Sequence, residues 1–214
     1  MRQSGGSSKV ITRRNALLAG LGIASGLQAA TPHPLYFEPN RGQFGSGPVF
    51  CSDQKRWRAS FEARGLRIEM KRLVGDGGMV TDPARLRNLR LSLVEAACPA
   101  PVGEDKRIGR SDYYFHGDPK TFVENVPHFY RLRYREAWPG VDMVVRGWKE
   151  ALEISFTFSR GADASAVGLR WIEGEPLALR DGSVVVTAPW GVVRQPKPAG
   201  LGWRVESSGI LRLA

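Results

Sequence analysis

Cysteine and histidine are nearly missing from this chain of 214 residues, which has two of the first and three of the second. A structural zinc site gathers about four such ligands at close spacing. His33, His116 and His128 stand apart, with no Cys or acidic cluster at ligand spacing, so no metal and no cofactor is expected. The Gly-rich phosphate loops G-x-x-x-x-G-K-S/T and G-x-G-x-x-G are absent, and so is the G-x-S-x-G turn that presents a catalytic serine. No apolar run reaches the about 20 residues needed to cross a bilayer as a helix. Apolar residues do not recur at helical spacing over any stretch of about a dozen residues. The chain therefore reads as non-enzymatic. Asp142 and Glu153 are the carboxylates to examine as a hydrolytic pair, because a short hairpin joins their strands. The expectation is that Asp142 caps a turn and Glu153 faces solvent or an arginine.

Residues 1–30 hold a different pattern from the rest. Arg2, Lys9, Arg13 and Arg14 give a basic head without acids, Ala16 to Leu27 form a weakly apolar run, and small residues precede "TPHP". That order is the order of a secretory signal. Arg13 and Arg14 in "TRRNALL" resemble a twin-arginine signal, the address of a route that exports folded proteins. Residues 1–30 are thus expected to be an export leader outside the fold, cut between Gly26 and Ala30. Residues 31–214 are expected to be one β domain, periplasmic or extracellular in a bacterium, with no transmembrane segment once the leader is gone. The formal charge of +10 falls to +6 without the four leader cations, which is basic but not polycationic. In an oxidising compartment Cys51 and Cys98 are candidates for one disulfide; the other reading is two unpaired buried thiols.

Beyond the leader, apolar residues alternate with period two, the mark of half-buried antiparallel strands. Trp57, Ala59 and Phe61 alternate with Arg58, Ser60 and Glu62. Leu66, Ile68 and Met70 follow after "ARG", then Leu89, Leu91 and Leu93. The clearest case is "ALEISFTF", where Leu152, Ile154, Phe156 and Phe158 share a face. Turns are expected at Gly75–Gly78, Arg146–Lys149, Arg180–Ser183 and Ser207–Gly209, the strongest being Asp181-Gly182. A short helical turn fits "SRGADASAV". The prediction is an all-β antiparallel sandwich of ten to thirteen strands, as one unit or two packed halves.

In "HFYRLRYR", Tyr130, Leu132 and Tyr134 fall on one expected face, with Phe129, Arg131, Arg133 and Arg135 on the other. Arginines on the solvent side of a strand discourage edge-to-edge aggregation. This run is read as a solvated face, and no nucleic-acid partner is expected.

Residues Asp112 to Trp171 carry a denser set of motifs: Tyr114-Phe115, Gly117-Asp118-Pro119, Asn125-Val126-Pro127, Arg133-Tyr134, Pro139-Gly140, Asp142, Leu152-Glu153 and Gly161-Ala162-Asp163. With "FEPNRGQF" at Phe37 to Phe44, they resemble the N-terminal domain of unknown function of secreted bacterial proteins with SBBP-type β-propeller repeats. The likeness runs from about Leu35 to Pro198. It departs at Ser155, where that family has an acid, and the propeller repeats themselves are not found here. What it implies is an extracytoplasmic β domain, and it supplies no catalytic residues. Its turns have structural explanations: Pro139-Gly140 makes a turn, and Asn40 and Gln43 are expected to bond backbone in their loop.

The function expected is thus an exported interaction or envelope-associated module whose partner is an envelope polysaccharide or another surface protein. The alternative is a carbohydrate-binding or glycan-acting domain, with Trp148 and Trp190 as its aromatic platform and Trp171 and Trp203 as further candidates.

Overall fold

The structure is a computed structural model that describes residues 16–23, 35–54, 57–73, 79–80, 88–115, 118–148, 151–178, 181–188 and 191–214. Among these residues the regular structure is strand, apart from two single 3-10 turns. In chain order the strands are β1 (Ala16–Ile23), β2 (Glu38–Pro39), β3 (Phe50–Asp53), β4 (Trp57–Glu62), β5 (Gly65–Met70) and β6 (Arg72–Leu73). Next come β7 (Met79–Val80), β8 (Asn88–Val94), β9 (Val102–Tyr113), β10 (Val123–Trp138), β11 (Val141–Trp148) and β12 (Ala151–Phe158). The last are β13 (Gly168–Ile172), β14 (Glu175–Ala178), β15 (Val184–Ala188), β16 (Gly191–Gln195), β17 (Trp203–Val205) and β18 (Ile210–Leu213). The eighteen strands among the described residues exceed the ten to thirteen expected, partly because β2, β6 and β7 are two-residue pairings that leave no periodic trace.

Two eight-stranded antiparallel sheets pack face to face. The first runs β14-β15-β16-β1-β12-β11-β10-β9, the second β17-β18-β13-β8-β5-β4-β3-β2, and β6-β7 make a separate pair. Alternation set the inner faces as expected. Leu152, Ile154 and Phe156 of β12 are fully buried in one cluster with Leu89 and Leu91 of β8, Ile68 of β5 and Phe61 of β4. Burying each such side chain contributes about 1.5–3 kcal/mol. The cluster is continuous, so the domain is one sandwich. Two side-chain bonds cross it: Tyr134 Oη donates to the Gly65 carbonyl at 3.1 Å, and Trp138 Nε1 to the Val94 carbonyl at 2.8 Å.

The turn chemistry follows the residues. Asp181 Oδ1 accepts from the Ser183 amide at 3.0 Å and Gly182 takes φ +78, closing β14 onto β15. Ser207–Gly209 joins β17 to β18, and Pro139-Gly140 joins β10 to β11. Asp163 caps the 3-10 turn Ala164–Ala166 by accepting from the Ser165 amide. The expected turn at Gly75–Gly78 lies outside the described residues. No helix among the described residues is long and apolar enough to cross a membrane.

Ala16–Ile23, within the expected leader, is a strand of the first sheet, paired with β12 from Ala16↔Thr157 to Leu21↔Leu152 and with β16 at Gly22↔Arg194 and Ile23↔Val193. A short uncharged apolar run is compatible with a leader and with a strand alike. One expectation needs correction, on β10. Leu132 and Tyr134 are buried, but Tyr130 is exposed and Phe129 packs on the core, with its ring 5.9 Å from Phe50. The ladder with β9 is unbroken from Phe129↔Lys106 to Arg133↔Val102, so Tyr130 keeps the parity of Leu132 but stands outside the core, with the Arg107 guanidinium over its ring; the breaks in register lie before Phe129, between Pro127 and Phe129 and between Val123 and Val126.

Candidate functional site

The long strands β9 and β10 form a two-stranded arm at one end of the first sheet. β9 is the outermost strand, and none of its twelve residues is buried. Phe37 crosses from one sheet to the other beneath this arm, exchanging both backbone hydrogen bonds with Phe129 at 2.9 Å. Phe37 itself points into the core against Phe61, so its neighbours Tyr36 and Glu38 are sent to the opposite side.

There they meet the arm in a polar cluster. Glu38 and His128 are both buried, at 2 % and 6 % exposure. His128 Nε2 lies 2.8 Å from Ser111 Oγ and 2.9 Å from Glu38 Oε1. The hydroxyl takes the hydrogen-bonding direction, since Glu38 Oε1 makes no aligned bond. Tyr113 Oη donates to the other carboxylate oxygen, Glu38 Oε2. The Tyr36 ring stacks on the imidazole at 3.9 Å, and the Arg107 guanidinium lies over both Tyr36 and Tyr130. Gly109 leaves room for the ring: a Cβ there would stand 2.9 Å from His128 Nδ1.

Burial holds the His128 imidazole below its ordinary value, against the pull of Glu38 toward protonation. Burial also raises the Tyr113 phenol, helped by its bond to Glu38. Serine, histidine and glutamate side by side suggest a proton relay, but the geometry differs from one. A serine nucleophile needs a base that meets the hydroxyl with one ring nitrogen while the acid steers the other. Here Ser111 and Glu38 converge on the same nitrogen. The arrangement is a buried latch between arm and body. Sequence reading missed it because Glu38, Ser111 and His128 come from three separate segments; the "FEPNRGQF" motif marked Glu38 and the histidine survey named His128, but nothing joined them.

The arginine face of β10 is neutralised from within the sheet. Arg133 donates to Glu104 Oε1 at 2.8 Å and to Asp142 Oδ2 at 3.0 Å. Arg131 Nε lies 3.0 Å from Asp105 Oδ2. Asp142 Oδ1 also accepts from the Glu136 amide at 2.7 Å, fixing the bulge where Glu136 has φ +48. Glu153 is held by Arg146 at 2.5 Å. Both carboxylates examined as a hydrolytic pair thus have their own arginines. Asn40 and Gln43 do what their loop predicts. Asn40 Nδ2 donates to the Gly45 and Pro48 carbonyls at 2.7 and 2.9 Å, and Gln43 Nε2 to the Pro39 carbonyl at 2.8 Å.

Cys51 and Cys98, candidates for one disulfide or for two unpaired thiols, are both free. Cys51 is buried on β3 with Sγ 3.7 Å from Ser60 Oγ, and burial pushes its thiol up to about 11. Cys98 lies past the end of β8, donating to the Ala96 carbonyl at 3.3 Å. Trp171 and Trp203 are core residues rather than platform, and Trp203 Nε1 donates to the Pro196 carbonyl at 2.9 Å. The side chain of Trp148 and all of Trp190 lie outside the described residues, as do Arg13, Arg14, His33 and His116. No three His, Cys, Asp or Glu side chains among the described residues gather as a metal set.

The arm also concentrates apolar exposure. Of the five large hydrophobic residues exposed among the described ones, four lie on it or at its end: Val102, Ile108, Tyr114 and Tyr130. Ile108 is as open as in an extended peptide, at 101 %. It sits at the register break, with Lys106 paired to Phe129 on one side and Arg110 to Pro127 on the other.

Comparison with protein families matches residues 37–201 to the family described as "Domain of unknown function (DUF7948)". No curated protein and no solved structure matches the chain.

Proposed function

The chain belongs to the DUF7948 family, and we propose that it works as an exported, non-enzymatic β-sandwich module that binds a component of the bacterial envelope through its β9–β10 arm. The observation that carries this reading is the exposure of Ile108, Tyr130, Tyr114 and Val102 on one ribbon. Scattered apolar residues on a surface need no explanation, whereas their concentration beside a sheet edge favours a contact surface. The edge is also guarded. Lys106, Arg107 and Arg110 and the break in register oppose indiscriminate strand pairing. A guarded edge with an open isoleucine fits a side-chain contact better than an added strand.

Export rests on the leader pattern with Arg13 and Arg14, and the location is the periplasm or beyond. The likeness to the SBBP-associated domain supports the same compartment. The partner is a surface protein or an envelope polysaccharide. A glycan-binding role for Trp148 and Trp190 is the alternative.

Cosedimentation tests this reading. Wild-type protein is expected to pellet with a washed envelope fraction, and the Ile108→Asp variant to stay in the supernatant. Equal behaviour of the two overturns the arm as the contact. Release of both by soluble polysaccharide, with Trp148→Ala losing binding instead, favours the alternative.

A further inference from the structure

The first sheet is held together through the strand that the leader supplies. Among the described residues, β12 carries the four-stranded part β12-β11-β10-β9 and β16 the three-stranded part β16-β15-β14, and β1 alone joins them. β1 pairs with six residues of β12, from Thr157 to Leu152, and with Arg194 and Val193 of β16. On the core side the slot is bordered by Leu152, Ile154 and Phe156 of β12 and Val193 of β16, all fully buried. A cut between Gly26 and Ala30 would release β1 and open two ladder edges at once. Unpaired backbone groups next to a core are costly, and strand addition is the standard remedy.

We propose that the β1 position is a strand-accepting slot, filled by the chain's own Ala16–Ile23 before processing and afterwards by an extended, uncharged segment of a partner protein. The occupant's chemistry is read from the one that sits there. "ALLAGLGI" has no charge, no proline and no aromatic ring, and it alternates small residues with aliphatic ones only loosely. The leader then also prevents premature engagement inside the cell, because the slot is occupied until export is complete. This rests on the export reading, since an uncut leader never vacates the slot. It concerns a different surface from the arm, so either can fail alone.

The test uses the full chain. In Leu17→Pro/Leu18→Pro, one of two adjacent amides facing β12 or the open side is removed whichever way the strand is turned, so β1 cannot complete its ladder. Amide exchange is expected to accelerate in this variant at the one of Ser155 and Ile154, and at the one of Arg194 and Val193, whose N–H faces β1. A synthetic peptide of residues 16–23, added at about 100 times its Kd, is expected to slow that exchange about 100-fold, while a peptide with prolines at those two places does nothing. Gly20→Pro serves as the milder variant should the double one unfold. Unchanged exchange in both variants, or no response to the peptide, overturns the slot. N-terminal sequencing of the exported protein separates the two readings. A chain that still begins at Met1 overturns the processing step and with it the opening of the slot, whatever the arm does.

Discussion

His128 Nε2 lies 2.9 Å from Glu38 Oε1. This contact joins the β9–β10 arm to β2 of the second sheet and places a buried carboxyl group and imidazole at the root of the exposed surface.

Stability should therefore respond to mild acid. Burial holds the His128 imidazole below its ordinary value, so the folded protein binds fewer protons than the unfolded chain as pH falls through about 6.5. A group with a lowered histidine value stabilises fully above the unfolded value and loses that contribution as pH drops toward the folded one. The loss is at most about 1.4 kcal/mol per pH unit in that window. Melting temperatures from pH 8 to 5 should fall more steeply for wild type than for His128→Gln; parallel curves would remove His128 from the account.

Tyr113 donates to Glu38 Oε2, so Tyr113→Phe leaves a buried carboxylate short of a donor. A hydrogen bond to a charged group contributes about 1.5–3 kcal/mol, and the variant should lose that much in urea unfolding. In Glu38→Gln the loss from Tyr113→Phe should shrink. An additive double mutant would mean that the two side chains do not act together.

Arg133→Ala should cost about 1–2 kcal/mol and loosen two acids at once, Glu104 and Asp142. Because these pairs are partly exposed, the cost should shrink in high salt. The same pairing predicts weak, shallow salt dependence of binding to duplex DNA. A slope equivalent to several released counterions would restore the nucleic-acid reading of the arginine run.

Much of this architecture is legible in the sequence. Leu152, Ile154 and Phe156 announce their face by alternation, Asp181-Gly182 its hairpin, and Asn40 and Gln43 their loop. Tyr130 was misplaced although its ladder is unbroken from Phe129 to Arg133, because alternation gives the face of a strand and not how far the core extends along it. The Glu38–His128 latch was invisible because one partner precedes the other by ninety residues. Ala16–Ile23 carries a composition that suits both a leader and a strand, so its pairing with β12 was not legible. Trp171 and Trp203 looked available only because burial of a tryptophan is set by tertiary packing.

Ile108→Asp should leave folding stability within about 0.5 kcal/mol of wild type, as substitutions at open positions do. A large loss would mean that Ile108 is covered in the working protein by its own chain.

Photo-crosslinking in living cells addresses the proposed contact most directly. A photoreactive residue is placed at Ile108 on the arm or at Arg170, exposed on β13 of the other sheet. A discrete crosslinked species in the envelope fraction from position 108 and none from position 170 is the predicted result. Equal crosslinking from both positions, or none from position 108, would contradict it.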